Sequence, residues 1–311
     1  MVHFSAARVT REELGRMAHR PDARDRFPTG VARLSETRFC VPAHWPRNHR
    51  FFAPVAGHQD PLLIAETMRQ AAMLVCHAEL GVPLGDAFVM WELRYTTAAG
   101  HLVLGDDPWD VMVEVNCSDV RRRGRGLGSM RVDFELRRGG AVIAVCGSRI
   151  SCTSAAAYHR LRGHRSATVP PPPLPALAPR TVGRAAERDV VLGQPVAPGR
   201  WPLRLDTGHP TLFARPNDHV PGILLLEAAR QAANATVPGF LPVTLRSDFL
   251  RYVELDRPCW IEARTAPDGL RVRAVQDGDT VFTCALGGVL PIMAGSAASG
   301  TAPRGVAETP R

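Results

Sequence analysis

The stretch that decides the fold is His219-Val-Pro-Gly-Ile-Leu-Leu-Leu-Glu-Ala-Ala-Arg-Gln-Ala-Ala233. Pro221 and Gly222 are typical of the first turn of a helix, where a missing N–H is tolerated and a residue without Cβ leaves the backbone accessible. The apolar residues that follow cover nearly every direction around the helix axis. We therefore predict a buried helix that runs to Thr236, before Pro238-Gly239 stops it.

Three polar side chains lie within this apolar helix. Glu227, Arg230 and Gln231 stand at positions i, i+3 and i+4, which places them on one side of the helix. Burial of an unpaired charge costs several kcal/mol, so these charges require an explanation. Two interpretations stay open at this point: a buried Glu–Arg pair that only fixes the packing, and the polar wall of a substrate pocket.

The same pattern occurs a second time. Residues His58-Gln-Asp-Pro-Leu-Leu-Ile-Ala-Glu-Thr-Met-Arg-Gln-Ala-Ala72 align with the first stretch without a gap. The alignment matches polar residues in pairs: His58 with His219, Glu66 with Glu227, Arg69 with Arg230 and Gln70 with Gln231. Further pairs outside the two stretches are His49 with His209, Leu93-Arg94-Tyr95 with Leu250-Arg251-Tyr252, and Pro108-Trp109 with Pro258-Cys259-Trp260. A repeat of this length, roughly 160 residues, predicts two similar domains rather than a solenoid.

The order of apolar runs and turn residues predicts an α+β fold, in which one long central helix per domain is wrapped by an antiparallel sheet. We expect strands near residues 38–41, 88–95, 109–117, 128–137 and 141–151, and again near residues 189–192, 242–252, 259–264, 269–275 and 281–289. Arg137-Arg-Gly-Gly140 and Asp277-Gly278 are typical of hairpin turns.

Changes in composition predict the domain boundaries. We expect a loose N-terminal arm at residues 1–26, a first domain at 27–154, an Arg/Pro-rich linker at 155–187, a second domain at 188–293 and a disordered tail at 294–311. Proline runs stiffen linkers, and a proline-rich ligand for a partner is the alternative. Edge-to-edge pairing of the two sheets would cover their exposed edges and make the chain an intramolecular pseudo-dimer, with a homo-oligomer left open.

The positive charge of the chain is carried wholly by arginine. The formal net charge is +8 and the 311 residues include no lysine, which excludes Schiff-base chemistry and a P-loop lysine. The basic residues are dispersed and no nucleic-acid-binding motif occurs, so we expect no nucleic-acid partner. Because the guanidinium group matches phosphate geometry, abundant arginine suits phosphorylated small molecules and acidic carrier proteins.

The sequence has no sign of a membrane, metal or cofactor protein. No stretch reaches the ~20 apolar residues of a membrane span, and residues 1–26 lack a hydrophobic signal segment, so we expect a cytoplasmic protein. The seven cysteines lack C-x-x-C spacing, which argues against a disulfide framework and a zinc site. Cys76 beside His77 is either a nucleophile or, as we expect, part of the core.

The buried helix, entered through a histidine loop and Pro-Gly, resembles the hotdog fold of β-hydroxyacyl-carrier-protein dehydratases. Over its whole length the chain resembles the A-factor biosynthesis family of tandem-hotdog γ-butyrolactone synthases. That resemblance rests on Asp60-Pro-Leu-Leu-Ile-Ala-Glu-Thr-Met-Arg-Gln-Ala71, Cys117-Ser-Asp-Val-Arg-Arg-Arg123 and Asp218-His-Val-Pro-Gly-Ile-Leu-Leu-Leu-Glu-Ala-Ala-Arg-Gln231. It implies a tandem double hotdog that joins a β-ketoacyl group from acyl carrier protein to dihydroxyacetone phosphate, giving a precursor of a butyrolactone, butenolide or furan signal.

The second helix carries residue types that such a reaction needs. Acyl transfer from a thioester to an alcohol requires a base, a donor for the oxyanion and a cation for the phosphate. We expect Glu227 to be the base if burial raises its pKa, and Gly222 to donate its N–H to the oxyanion. Arg230 is then the phosphate partner.

The first helix differs at its N-terminus. The position that matches Gly222 is Pro61, which has no N–H, and the carboxylate of Asp60 precedes it. We therefore expect unequal halves, with thioester activation on the second helix and with Glu66 and Arg69 lining a different or shared pocket.

The other candidate substrate-binding residues are Gln70, Gln231, His49, His58, His209 and His219. His49 and His209 either act in the site or stabilise their loops, and His58 and His219 either begin the helices or contact substrate. Arg121, Arg122 and Arg123 form either a phosphate or carrier contact or a solvated turn.

Two other functions stay open from the sequence. One is a hotdog thioesterase or dehydratase that acts on acyl carrier protein and needs no phosphorylated acceptor. The other is a non-catalytic protein that binds acyl groups or signalling lactones without turnover.

Overall fold

The computed structural model describes residues 9–106, 109–124, 126–165 and 168–289, and the predicted tail at 294–311 lies outside them. The first half contains α1 (Arg11–Met17), β1 (Ala32–Arg33), β2 (Arg38–His44), α2 (Leu62–Ala78), β3 (Ala87–Thr97), α3 (Ala99–Leu102), β4 (Asp110–Arg123), β5 (Gly126–Arg138) and β6 (Ala141–Thr153). The second half contains α4 (Ala155–Arg162), β7 (Arg200–Pro202), α5 (Gly222–Thr236), β8 (Leu241–Phe249), β9 (Cys259–Ala266), β10 (Gly269–Gln276) and β11 (Asp279–Val289).

Two long helices occupy the centre of the molecule. α5 begins at Gly222 and ends at Thr236, the bounds predicted from its sequence. Every residue of α2 from Leu62 to Met68 is buried, and α5 is buried from Ile223 to Asn234. The two helices pack against each other and against the strands of their own halves. An all-round apolar helix has no solvent face, so burial of both helices is the expected outcome.

One antiparallel sheet wraps both helices. The eleven strands of the described residues follow the order β1-β2-β4-β5-β6-β3-β8-β11-β10-β9-β7. The two halves join where β3 pairs with β8, in a register that places Arg94 opposite Arg246. The predicted tandem hotdog with edge-to-edge pairing is therefore confirmed, and the junction leaves neither strand as a free edge.

Both predicted hairpins are present. Asp277 and Gly278 have φ angles of 54° and 85°, the positive values that a two-residue type I′ turn requires between β10 and β11. Gly139 and Gly140 join β5 to β6 with φ angles of 56° and 85°. Glycine adopts these angles without steric cost, which explains its presence in both turns.

Two details of the predicted strands are wrong. Residues 189–192 do not form a strand, because Glu187–Asp189 is a 3₁₀ turn and Leu192 makes only an isolated bridge. The match of Leu93-Arg94-Tyr95 with Leu250-Arg251-Tyr252 also fails in space. The first triplet lies within β3, whereas the second follows the end of β8.

Residues 11–26 are not a loose arm. Thr10 and Glu13 form a capping box that starts α1, and α1 packs against α2. The segment at 155–187 is likewise more than a spacer, because it begins with α4 and includes the 3₁₀ turn Pro179–Val182. Both segments contribute side chains to the centre of the molecule.

The described cysteines are all free and buried. A hydrogen bond with Cys152 and burial raise the pKa of Cys76 well above its ordinary value, so its thiol belongs to the core rather than to catalysis. No group of three His, Cys, Asp or Glu side chains in the described ranges could hold a metal ion. Across the same ranges, helices with the length and apolar character needed to cross a membrane are absent.

Hydrogen exchange should be slowest at the junction of the two halves. Residues 92–96 and 244–248 pair with each other, and their strands also pair with β6 and β11, so their amides open only when the whole sheet does. Native-state exchange measured by NMR should place these amides among the best protected and those of the edge strand β1 among the least. Exchange at the junction as fast as in β1 would contradict a continuous sheet.

Candidate active site

The side chain of Glu227 is fully buried on α5, and arginine holds both of its carboxylate oxygens. Arg230, one turn further along α5, donates two hydrogen bonds to Glu227 at 2.7 and 2.8 Å. Arg184, from the segment between the halves, donates two more at 2.8 and 2.7 Å. Gln231 adds a fifth bond at 2.5 Å. We refer to these four residues as the Glu227 cluster.

Glu66 on α2 is held in the same way. Arg69 donates two hydrogen bonds to its carboxylate at 3.0 and 2.8 Å, and Arg20 donates one at 2.7 Å. Gln70 completes the set at 2.6 Å. These four residues are the Glu66 cluster, and they match the Glu227 cluster position by position.

Both glutamates remain ionised. Burial alone would raise the pKa of Glu227, but the charges and hydrogen bonds of Arg184 and Arg230 outweigh burial and lower that pKa to about 2. Arg20 and Arg69 likewise hold the pKa of Glu66 far below its ordinary value against the opposing effect of burial. The expectation that burial raises the pKa of Glu227 is wrong. Arg184 adds a second guanidinium beside the carboxylate, and the pattern of the helix gave no indication of it.

The two glutamines fix the backbone that precedes each helix. Gln231 donates to the carbonyl of Asp189 at 2.8 Å and accepts from the amide of Val191 at 2.9 Å. Gln70 makes the equivalent pair of bonds in the first half. These contacts also explain why residues 189–192 do not form a strand. The side chain of Gln231 occupies the Asp189 carbonyl and the Val191 amide, which a neighbouring strand would otherwise bond.

His49 and His209 stabilise their loops. The Nδ1 atom of His209 accepts two backbone amides of its own loop, and its Nε2 lies 3.1 Å from the carboxylate of Asp189. His49 accepts two amides in the same way, and its Nε2 lies 3.0 Å from Asp25. Of the two interpretations left open for this pair, the geometry supports loop stabilisation.

Arg20 and Arg184 tie the two halves together. Arg184 donates from Nη1 to the carbonyl of Phe51 at 2.6 Å, in the histidine loop of the first half. Arg20 donates to the carbonyl of Thr211 at 2.9 Å, at the equivalent place in the loop of the second half. Each arginine therefore joins its own glutamate to the opposite half.

A short repeated motif in the sequence contains both of these arginines. Arg20-Pro-Asp-Ala-Arg-Asp25 and Arg184-Ala-Ala-Glu-Arg-Asp189 share the pattern R-x-x-x-R-D, and both supply the first arginine to a glutamate and the last aspartate to a histidine. Extension of the repeat to this pattern would have moved both predicted domain boundaries toward the N-terminus.

A cavity of about 940 Å³ lies at the N-terminus of α5, between that helix, α2, α4 and β3. Of the predicted site residues, Gly222, His219 and Arg69 line it. The remaining predicted site residues do not line this cavity: Glu66, Glu227, Arg230, Gln70, Gln231, His49, His58 and His209. The pocket wall is therefore built mainly by residues outside the two glutamate clusters.

An aspartate–histidine pair stands at the edge of this cavity. The Nδ1 atom of His219 lies 2.6 Å from Oδ1 of Asp218, which also accepts from the Tyr158 hydroxyl at 2.7 Å. Arg162 donates to the other oxygen at 3.0 Å. Although burial opposes the effect, the bonds from His219, Tyr158 and Arg162 hold the pKa of Asp218 well below its ordinary value.

This pair sets the tautomer of His219. An ionised carboxylate only accepts, so Nδ1 of His219 carries the proton, and in the neutral ring Nε2 is the acceptor. His58, its counterpart in the first half, has Nδ1 only 2.9 Å from the Ala56 carbonyl and has no carboxylate partner there. An aspartate–histidine pair therefore lies at the start of the second helix, and the described residues have none at the matching place of the first.

The N-termini of the two helices also differ. Asp60 accepts from the amide of Leu62 at 2.9 Å and so closes the first turn of α2 with a carboxylate. α5 has no side-chain cap among the described residues, and its first residue, Gly222, faces the cavity. An uncapped helix start offers backbone N–H groups and a positive dipole to an anion. The predicted inequality of the two helix starts is visible here.

Arg230 is not placed to hold a substrate phosphate. Its guanidinium is almost wholly buried and bonds to Glu227 and, at 3.4 Å, to the carbonyl of Val182. The prediction for Arg230 is corrected, because a guanidinium already neutralised by a carboxylate has little attraction left for another anion. Arg69, its counterpart, does reach the cavity.

Solved structures share this architecture. An acyl-ACP thioesterase from Bacteroides thetaiotaomicron aligns with a TM-score of 0.52 at 12% identity, over 82% of this chain and all of that chain. The 12:0-ACP thioesterase from Umbellularia californica aligns with a TM-score of 0.50 at 13% identity, over 81% of this chain and 97% of that chain. At these identities the structural likeness shows the fold alone, and it places this chain among the proteins with a tandem hotdog fold.

The family is defined by sequence. The model of the A-factor biosynthesis hotdog domain matches residues 6–154 and 166–282, and the chain belongs to this family. A 2-oxo-3-(phosphooxy)propyl 3-oxoalkanoate synthase from Streptomyces virginiae is 48% identical over 280 residues, covering 87% of this chain and 95% of the relative. A protein of the same name from Streptomyces griseus is 45% identical over 284 residues, covering 88% and 94%.

Replacement of Glu227 should destabilise the protein. Glu227→Gln leaves Arg184 and Arg230 buried without their carboxylate, which typically costs about 3–5 kcal/mol. Thermal unfolding should show a large fall in melting temperature, with a fall of similar size for Glu66→Gln. Glu36→Gln, an exposed surface change, is the matched control. A fully stable Glu227→Gln variant would show that the cluster is not structural.

The acid titration of the two glutamates should be displaced downward. The pKa of Glu227 falls from 4.5 to about 2 on folding, so between these pH values the unfolded state binds more protons than the folded state. The free energy of unfolding that this pairing contributes is present above pH 4.5 and is lost as the pH falls toward 2. Carbon-13 NMR of glutamate carboxyl groups should show two that do not titrate until well below pH 4. A Glu227 signal that titrates at or above its ordinary value would contradict the arginine pairing.

Proposed function

We propose that this protein is an acyltransferase that joins a β-ketoacyl group, carried as a thioester on acyl carrier protein, to the hydroxyl of dihydroxyacetone phosphate. The product is a phosphorylated β-keto ester, the precursor of a γ-butyrolactone, butenolide or furan signal. Membership of the family and the name shared by relatives over most of the chain support this activity. The acceptor in this proposal corresponds to the 2-oxo-3-(phosphooxy)propyl group in that name, and acyl carrier protein is proposed as the acyl donor.

The observation that carries the proposal is the Asp218–His219 pair beside the uncapped start of α5. A thioester whose carbonyl oxygen points at Gly222 would meet a backbone N–H with the helix dipole behind it. An alcohol beside His219 would meet the lone pair of Nε2. Base and oxyanion donor are three residues apart in sequence, so one short segment positions both.

The reaction then proceeds in two steps. His219 Nε2 takes the proton of the acceptor hydroxyl as the hydroxyl oxygen attacks the thioester carbonyl, and the N–H of Gly222 stabilises the oxyanion that forms. Collapse of this intermediate breaks the C–S bond and returns the proton from His219 to the leaving thiolate. Asp218 keeps the ring oriented and stabilises the imidazolium between the two steps.

The glutamate clusters serve as the framework in this scheme. Glu227, expected from the sequence to be the base, is ionised but has both oxygens occupied by Arg184, Arg230 and Gln231. A general base must reach the proton that it removes, and Glu227 does not line the described cavity. We therefore assign the base role to His219, for which the sequence left helix entry and substrate contact open.

Hydrolysis is the competing fate of the thioester. The cavity has an apolar wall from β3 and α2, including Phe88, Met90, Leu93 and Met68, which suits an acyl chain and disfavours water. The decisive experiment mixes purified protein with a β-ketoacyl thioester and dihydroxyacetone phosphate and detects products by mass spectrometry. Ester formation supports the acyltransferase, free β-keto acid alone supports a thioesterase, and an unchanged bound thioester supports a binding protein.

Replacement of His219 should abolish transfer without unfolding the protein. His219→Gln keeps a polar side chain but removes the base, and loss of a positioned base lowers rates by about 10²–10⁴. Asp218→Asn should also lower the rate, because an amide no longer selects the Nδ1–H tautomer. Ester formation and melting temperature should be measured together, with His58→Gln as the matched control. Full activity of a folded His219→Gln variant would remove it from the mechanism.

A further inference from the structure

The two glutamate clusters carry different net charge. Arg184 lies near a second carboxylate, since its Nη1 is 3.2 Å from Oδ2 of Asp60. The position that matches Asp60 in the repeat is Pro221, so Arg20 has no equivalent of this contact. The Glu227 cluster is therefore neutral once Asp60 is included, whereas the Glu66 cluster keeps an excess of one positive charge.

A third arginine adds to the excess of positive charge near the Glu66 cluster. Arg215 lines the same cavity as Arg20 and Arg69 and forms no ion pair with a carboxylate of the described residues. Removal from bulk water and the like charges of Arg69 and Arg20 lower the pKa of Arg215. The matching segment of the first half, Ala53-Pro-Val-Ala56, carries no charge. Arg20, Arg69 and Arg215 thus line one cavity, and among the described residues Glu66 is the one carboxylate that forms an ion pair with any of them.

A buried polar atom without a partner lies at the same place. His19 lines the cavity, and its Nδ1 is buried and makes no hydrogen bond within the protein. His77 donates from Nδ1 to the carbonyl of Val82, so its Nε2 accepts from Nε2 of His19, 3.0 Å away. The Nδ1 atom of His19 is therefore a bare acceptor in the cavity wall, and a hydrogen-bond donor on a bound ligand would complete it.

We propose that Arg69 and Arg215, with Arg20 behind them, form the subsite for a phosphate monoester, namely the phosphate of the alcohol acceptor. This inference rests on the proposed function and names the residues that select its acceptor. Two uncompensated positive charges match a phosphate monoester dianion, whereas the phosphodiester of a carrier prosthetic group has a single negative charge. A second cavity of about 430 Å³ shares His19, Leu84 and Arg215 with the first and gives a small anion a route to the subsite.

Arg215 is the informative residue to change. It pairs with no carboxylate of the described residues, so Arg215→Gln leaves no unpaired carboxylate behind. Arg264→Gln, on the exposed face of β9 and outside the cavity, is the control with the same change of charge. Calorimetry without any acyl donor should show the Kd for dihydroxyacetone phosphate raised about 10- to 100-fold by Arg215→Gln, partly restored by Arg215→Lys and unchanged by Arg264→Gln.

Measurements of ester formation test the phosphate subsite separately from the proposed transferase function. With an N-acetylcysteamine thioester as donor, which contains no phosphate, Arg215→Gln should raise the KM for dihydroxyacetone phosphate and reduce the preference for it over unphosphorylated dihydroxyacetone. Arg264→Gln should change neither. Arg215-dependent phosphate binding without ester formation would support the subsite while the transferase function fails. Equal binding by wild type and Arg215→Gln, or a defect seen only with the carrier-bound donor, would overturn the subsite.

Discussion

A carboxylate held between two arginines at the centre of each half is the interaction on which the rest of this structure depends. Glu66 and Glu227 are isolated from water, and burial of either charge alone would cost several kcal/mol. The two arginines reverse that balance, because each carboxylate oxygen is charge-paired and hydrogen-bonded. The ion pairs also fix the path of the chain. Arg20 holds the N-terminal segment against Glu66, and Arg184 holds the connecting segment against Glu227.

The proposed function depends on the positions at which the two halves differ. The repeated frame places equivalent loops, helices and clusters on both sides of the junction, but only in α2 does a carboxylate, that of Asp60, accept the amide of the first helical residue. On α5 the same place is Pro221, and the helix opens into the large cavity beside His219. In the proposed mechanism, the absence of a carboxylate at this place leaves the helix dipole of α5 available to an oxyanion, and it leaves Arg20 without the second carboxylate that Arg184 has in Asp60.

Much of the fold was predictable from local patterns. The bounds of α5 follow from Pro221-Gly222 and Pro238-Gly239, and the repeat predicts a paired architecture because each sheet needs a cover for its edge. The site was less predictable, because its charges are balanced by residues distant in sequence. Periodicity places Arg230 beside Glu227, but it is silent on Arg184, 43 residues upstream, which decides the ionisation of that glutamate. Arg215 stood out even less, since nothing in the repeat corresponds to it.

The reciprocal contacts of Arg20 and Arg184 have the form that an isologous interface gives a homodimer, in which each subunit reaches the same place on the other. In a homodimer one codon specifies both copies of every position, so a helix start that is capped in one subunit is capped in the other. Two halves within one polypeptide are free of that constraint. Asp60 and Pro221 can then coexist, and one polypeptide combines a closed and an open helix start, a pairing that two identical subunits have no means to encode.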